Sequence, residues 1–212
     1  VSARRLPGRI LALTPGDLRD GSTSVLLQRA RAAAEAGLDS ILVREPGLSD
    51  RATLELSRAL RAVLGPRGWL GIHDRVHLAP AARADGVHLG FRSLAIREAR
   101  AISDASIAVG YSAHAHDDPS AWLEADYLLF GPVFETPSKR GLLEPVGVAG
   151  LARAVHSTAT PVWALGGVDP ARAPDVASAG CRGLAARSAI LGGADPRAAV
   201  LQFLSAFPLV PR

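Results

Sequence analysis

Residues 161–190 read PVWALGGVDPARAPDVASAGCRGLAARSAI. An apolar run, Pro161-Val-Trp-Ala-Leu165, stops at Gly166-Gly167, and Pro170 then opens an Ala-rich stretch suited to a helix as far as Ala179. A second short run, Arg182-Gly-Leu-Ala-Ala186, follows at once. Runs of this kind, without polar alternation, suit strands covered on both faces, as parallel strands are when crossover helices pack outside them. The segment therefore reads as strand, helix, strand.

The same rhythm runs outward over the whole chain. Arg9–Thr14 leads to a helix over Thr23–Ala36 that Gly37 ends, and Ser40–Arg44 leads to a helix from Ser49, a suitable N-cap, to Leu64. Trp69–His73 precedes a short helix through Leu78 and Ala84, and Gly86–Leu89 precedes Leu94–Ser103. Ser106–Tyr111 leads to a helix starting near Asp117, Ala125–Phe130 through a long loop to a helix over Val148–His156, and Arg182–Ala186 to a last helix from Pro196 to about Phe207. Eight such units in 212 residues predict a single-domain (β/α)8 barrel over residues 1–212. A doubly wound open sheet is the alternative, because periodicity does not distinguish closed from open.

With 48% apolar and 21% charged residues the composition is that of one globular domain. A formal charge of +4 and an isoelectric point near 10.1 raise the question of nucleic acid. Acids and bases are interleaved, however, and the ten aromatics form no stacking platform, so no nucleic-acid partner is expected. A lone Cys181 fits a reducing compartment, and neither a signal core nor a membrane span is read, so the expectation is cytoplasmic with no membrane partner. Arginine fills every basic position except one, Lys139.

In a parallel barrel the C-terminal strand ends and the loops after them form the active face. The unusual residues collect there: Thr14, Arg44-Glu45, His73-Asp74-Arg75, Ser112, His114, the loop from Gly131 to Lys139, and Arg187-Ser188. Gly166-Gly167 before Pro170 is either a tight turn or a bed of main-chain N–H groups for an anion, and Arg187-Ser188 on the next strand end is placed to share a phosphate with it. Thr136, Ser138 and Lys139 supply hydroxyls and an ammonium for phosphate oxygens, unless their loop is only a solvated turn. His114 sits where an imidazole can take and give a proton. His77 and His156 fall on helices, His88 fits the barrel interior, and His73 stands at a strand end. Asp74 and Glu45 are the mouth carboxylates available to a hard cation, and Asp74 beside Arg75 reads equally as an ion pair. No Cys/His pattern supports zinc.

Taken in order, Val43-Arg-Glu45, His73-Asp-Arg75, Ala84-Asp-Gly-Val-His-Leu-Gly90, Ser112-Ala-His114, Gly131-Pro-Val-Phe-Glu-Thr136, Gly166-Gly167 and Ala186-Arg-Ser-Ala-Ile190 resemble the thiamine phosphate synthases and their relatives the thiazole tautomerases. The resemblance covers about residues 10–192. The synthases join a hydroxymethylpyrimidine diphosphate to a thiazole phosphate with Mg²⁺. Their Gln-x-Arg-Glu-Lys appears here as Leu42-Val-Arg-Glu-Pro46, their Asn-Asp-Arg as His73-Asp-Arg75, and their Gly-Gln-x-Asp as Gly90-Phe-Arg-Ser93. Leu89–Ser93 and Val109–His114 look like the tautomerase branch, in which the histidine after strand five is the acid/base residue.

The resemblance thus implies an isomerase, a thiazole tautomerase, with His114 catalytic. It implies phosphate held by Thr136, Ser138, Lys139, Gly166, Gly167, Arg187 and Ser188, and further substrate contacts from Arg44, His73 and Ser112. No metal or cofactor is expected, Mg²⁺ entering only with the synthase alternative. The partner is a small thiazole phosphate, and a homodimer is compatible with the sequence. A non-catalytic, regulatory barrel that binds thiazole phosphate is the third reading.

Overall fold

The computed structural model describes residues 4–19, 23–136 and 143–207. Eight strands alternate with helices: β1 Ile10–Leu13, α1 Ser24–Glu35, β2 Ser40–Val43, α2 Asp50–Leu64, β3 Trp69–His73, α3 Ala79–Ala82, β4 Gly86–Leu89, α4 Ile96–Ile102, β5 Ala108–Ala113, β6 Tyr127–Phe130, α5 Gly147–His156, β7 Val162–Leu165, α6 Ala173–Ser178, β8 Gly183–Ala186 and α7 Pro196–Ala206. Each strand is parallel to its neighbours, and β1 pairs with both β2, Ala12 opposite Ile41, and β8, Ile10 opposite Leu184. The sheet is a closed (β/α)8 barrel, a TIM barrel. The open doubly wound alternative fails on this closure.

Two apolar layers result. Outside the sheet, alternate strand residues such as Ile41, Ile72 and Val109 pack against helix faces that include Leu26, Leu56, Leu60 and Phe203. Each fully buried side chain of that size contributes roughly 1.5–3 kcal/mol. Inside lies a second cluster of Leu11, Leu13, Leu42, Trp69, Tyr127, Leu129 and Trp163. The rings of Tyr127 and Trp69 meet edge to face at 5.7 Å, and those of Tyr127 and Trp163 at 5.8 Å. Strand glycines make this possible: a Cβ at Gly110 would stand 2.1 Å from the Tyr127 ring, one at Gly183 2.3 Å from Trp163, and one at Gly71 2.4 Å from Trp69. Both indole N–H groups donate to carbonyls at the base of the barrel, Trp69 to Arg5 at 3.0 Å and Trp163 to Gly8 at 2.8 Å.

The residues before β4 and β6 tie that base together. Asp85 accepts from the Leu70 N–H at 2.8 Å and pairs with Arg5 and Arg61; Asp126 accepts from the Val109 N–H at 2.7 Å and pairs with Arg4 and Arg100. Helix starts follow capping chemistry, with Ser49 accepting from the Ala52 N–H at 3.2 Å and Asp195 from Ala198 at 2.9 Å.

Several element bounds differ from the sequence reading. No α-helix begins near Asp117: Asp118 accepts from the Ser120 N–H, and only a 3₁₀ turn, Pro119–Trp122, follows. The helix expected through Leu78 and Ala84 is a 3₁₀ turn, Val76–Leu78, and a single α turn that Arg83 ends at φ 51°. Ser106 belongs to a turn in which Asp104 accepts its N–H, so β5 starts two residues later than expected.

Candidate active site

The strand C-termini open into one cavity of about 840 Å³. Its floor is formed by Leu13, Leu42, Leu129, His88 and Ser112 from the barrel interior. Around the rim the cavity gathers Arg44, His73, His114, Thr136, Gly166, Gly167, Arg187 and Ser188, so all the described residues expected at the site meet there. Ser138 and Lys139 lie outside the described residues.

One wall follows β2 and β3. Thr14, buried at the end of β1, accepts the Arg44 N–H at 2.8 Å and fixes where that side chain leaves the sheet. Glu45 is only 3% exposed, and its two carboxylate oxygens accept from the N–H groups of Gly16, at 2.8 Å, and Leu18, at 2.9 Å. It therefore holds the loop after β1. Arg75 turns away from Asp74: it pairs with Asp50 at 2.9 Å and donates to Thr53 and to the Leu48 carbonyl, which removes the Asp74–Arg75 ion pair considered from sequence. Asp74, at φ 69°, donates its N–H to the His88 carbonyl.

Two imidazoles follow, with ring centroids 6.0 Å apart. Burial, and then the neighbouring charge of Arg44, pushes His73 down to about 4. His88 is fully buried and lies well below its ordinary value, from burial first and then the two neighbours His73 and Arg44. Both rings are neutral near pH 7. His88 Nε2 is 2.8 Å from Ser112 Oγ, while its Nδ1 meets no partner among the described residues. Placing the single ring proton on Nε2 leaves Nδ1 as an unpaired acceptor, the cheaper of the two defects. Ser112 then receives from His88, and its own O–H is free to donate into the cavity. The placement of His88 in the interior agrees with the sequence reading.

The opposite wall is built of backbone. Gly166, at φ 98°, and Gly167, at φ 64°, have conformations suited to glycine, and added Cβ atoms would lie 2.7 Å from Pro132 Cα and 2.5 Å from the Glu135 carbonyl. Arg172 donates to the Gly167 carbonyl at 2.6 Å and covers the Phe134 ring at 4.8 Å, locking the turn. The N–H groups of Gly167, Ser188 and Ala189 donate to no acceptor among the described residues. Three uncommitted donors on one cavity wall suit an anion. His114 reaches the same space with its Nδ1 3.2 Å from Asp117, which also accepts the His114 N–H at 2.8 Å. His77, beside Asp50 at 2.8 Å, and His156, donating to Ala152, serve local structure as expected.

Arg172 escaped the sequence reading because its partners are a main-chain carbonyl and a ring brought in by a neighbouring loop. The signal available was an Arg five residues after Gly167. Phe91, which in the sequence is only a departure from the synthase motif, stands 72% exposed at the cavity mouth with Arg92 over its ring at 5.2 Å.

The donor set suits poorly the Mg²⁺ that the synthase resemblance implies. Both oxygens of Glu45 are committed to amides, and Ser93 Oγ accepts the Gly90 N–H at 2.8 Å. Asp169 accepts the Arg172 N–H at 3.0 Å, Asp74 and Glu135 also line the cavity, and no group of three or more His, Cys, Asp or Glu among the described residues is arranged to hold an ion. Magnesium beside a diphosphate is normally held by one or two carboxylates with substrate oxygens, and two committed positions leave it at the bottom of that range. No helix among the described residues is long and apolar enough to cross a membrane.

The family model described as thiamine monophosphate synthase matches residues 12–190. A putative thiamine-phosphate synthase of Geobacter sulfurreducens is 39% identical over 186 residues, covering 86% of this chain and 87% of that protein. The thiamine-phosphate synthase of Albidiferax ferrireducens is 37% identical over 174 residues, covering 81% and 80%. Among solved structures, a thiamine phosphate pyrophosphorylase from Pyrococcus furiosus superposes with a TM-score of 0.80 at 28% identity, over 94% of this chain and 95% of that one. These names overturn the expectation of a tautomerase and of an isomerase. That expectation rested on two short segments, Leu89–Ser93 and Val109–His114, whereas the likeness to proteins named as synthases runs from β1 to beyond β8. By the extent of the match and the identity of these relatives, the chain belongs to the thiamine monophosphate synthase family.

Proposed function

We propose that this protein is a transferase of the thiamine-phosphate synthase kind, joining the pyrimidinylmethyl group of hydroxymethylpyrimidine diphosphate to the ring nitrogen of a thiazole phosphate. The observation that carries the reading is the membership just described. A mouth of about 840 Å³ supports it, since that space suits two small heterocycles lying side by side. In the reaction the thiazole nitrogen donates its lone pair to the methylene carbon, a C–N bond forms, and the C–O bond to the diphosphate breaks. Diphosphate leaves with the electron pair and the ring becomes a thiazolium cation.

No ring carbon loses a proton in this step, so His114 is assigned as a contact to substrate, without acid/base work. The amides of Gly167 and Ser188, with Thr136 beside them, hold the thiazole phosphate on the backbone wall. Ser138 and Lys139 belong to the same proposed set. The negative charge that grows on the departing diphosphate falls to the guanidinium groups at the rim, and prearranged donors aimed at developing charge are the largest lever an active site has. Neutral His73 and the Ser112 hydroxyl offer hydrogen bonds to the pyrimidine.

The test is to incubate the purified protein with both phosphorylated precursors and Mg²⁺ and to measure thiamine phosphate and released pyrophosphate. Formation of both in equal amounts is the expected result. Calorimetric binding of the thiazole phosphate with no product at any enzyme concentration would overturn the transferase reading in favour of a binding barrel.

A further inference from the structure

We infer that the diphosphate is held in this protein directly by Arg44 and Arg187, without a divalent cation. The inference rests on the transferase reading for the identity of the ligand, and on the side chains of the mouth for everything else.

Arginines at the cavity fall into two groups. Arg75, Arg92 and Arg172 are committed, the first to Asp50, Thr53 and the Leu48 carbonyl, the second to the Phe91 ring, the third to the Gly167 carbonyl and the Phe134 ring. The guanidinium groups of Arg44 and Arg187 line the same space and donate to no acceptor among the described residues. They stand one residue beyond the ends of β2 and β8, the two strands that flank β1, so the barrel closure itself sets them on either side of Leu13. Burial, and then the positive charge of Arg187, pushes Arg44 below its ordinary value; a guanidinium nevertheless keeps its proton.

Two charges that repel one another at a partly buried rim cost free energy in the empty protein, and an anion placed between them recovers it. A guanidinium presents several N–H groups in a plane and grips phosphoryl oxygens two at a time, as an ammonium does not. Few carboxylates are left to recruit a cation: Glu45 serves two amides, Asp169 accepts the Arg172 N–H, Ser93 stands where the synthase motif has an acid, and Asp74 is the one carboxylate of those motifs that remains. Positive charge that a metal would bring is thus already present as protein side chain.

Inorganic pyrophosphate is the probe, titrated by calorimetry against the whole protein in excess EDTA and again in excess Mg²⁺. The expected result is binding in EDTA that Mg²⁺ leaves unchanged or weakens, since a magnesium-bound anion carries less charge to the arginines. Arg44→Met and Arg187→Met, each checked for an unaltered melting curve, are expected to weaken binding in EDTA by about 10–100-fold. Titration of inorganic phosphate tells a diphosphate grip from a general anion site: the two substitutions should affect phosphate less than pyrophosphate. Binding that appears or tightens tenfold only with Mg²⁺, or that both substitutions leave intact, overturns the inference. Turnover is scored separately. Cation-independent binding through the arginines without product sinks the transferase reading alone, and product formation with cation-dependent binding sinks this inference alone.

Discussion

At the scale of single residues, His73 and His88 stay neutral because the interior of a barrel cannot hydrate an imidazolium and Arg44 opposes it. For His73 the folded value, about 4, lies below the ordinary 6.5, so the unfolded chain binds more protons between the two. Stability from this residue is complete above about pH 6.5 and is lost as the pH falls toward 4, amounting to roughly 3 kcal/mol over that window. Denaturant titrations across pH 4–7 should show His73→Asn with a shallower acid slope than wild type; an unchanged slope would refute the assignment. Gly167→Ala tests the backbone wall: a Cβ 2.5 Å from the Glu135 carbonyl on a residue at φ 64° forces the loop to move, and phosphate-ester affinity should drop at least about tenfold in the folded protein, alongside a lower melting temperature from the strained residue. Most of the site's residues were visible in the sequence because each stands at a strand end, as Arg44, His73, Ser112 and Arg187 do. Arg172 was not, since nothing local to its helix says that Gly167 and Phe134 will be its partners.

Among elements, the strands were legible and some helices were not. Continuous apolar runs such as Ser40–Val43 and Tyr127–Phe130 specify buried parallel strands whatever surrounds them. Between β5 and β6 the chain has Asp117, Asp118 and Pro119, whose local hydrogen bonds and ring compete with an α-helix, and a 3₁₀ turn covers the barrel there instead. The same local chemistry works to advantage at the base, where Asp85 and Asp126 each join a strand N–H to arginines from elsewhere in the chain. Asp126→Ala leaves the Val109 N–H without its acceptor and takes the carboxylate from Arg100, which keeps only the Glu124 carbonyl, and is expected to cost about 2–3 kcal/mol by urea denaturation. The proposed transfer, at the other end of the barrel, should persist in that variant at temperatures where it is folded.

Over the whole molecule the barrel is a bargain between glycines and rings. Gly110 is paired in register with Tyr127, and Trp163 with Gly183, so a bulky side chain on one strand occupies the place that its neighbour leaves empty. Sequence periodicity cannot disclose this, because it depends on which residues of adjacent strands come level. Gly110→Ala should destabilise by at least about 3 kcal/mol, and Tyr127→Leu by about 2–4 kcal/mol through the void it leaves. The double variant should be more stable than the sum of the two losses allows, by more than about 1 kcal/mol; strict additivity would show that the ring and the missing Cβ do not compete.

Because β1 finds its second partner only in β8, a ribosome must make the chain through β8 before β1 is flanked on both sides. Until then two raw sheet margins are open to other chains. Premature termination within the last helical unit before Gly183 is therefore expected to yield aggregates in place of a smaller folded protein, and recovery from the soluble fraction of lysates would expose the error.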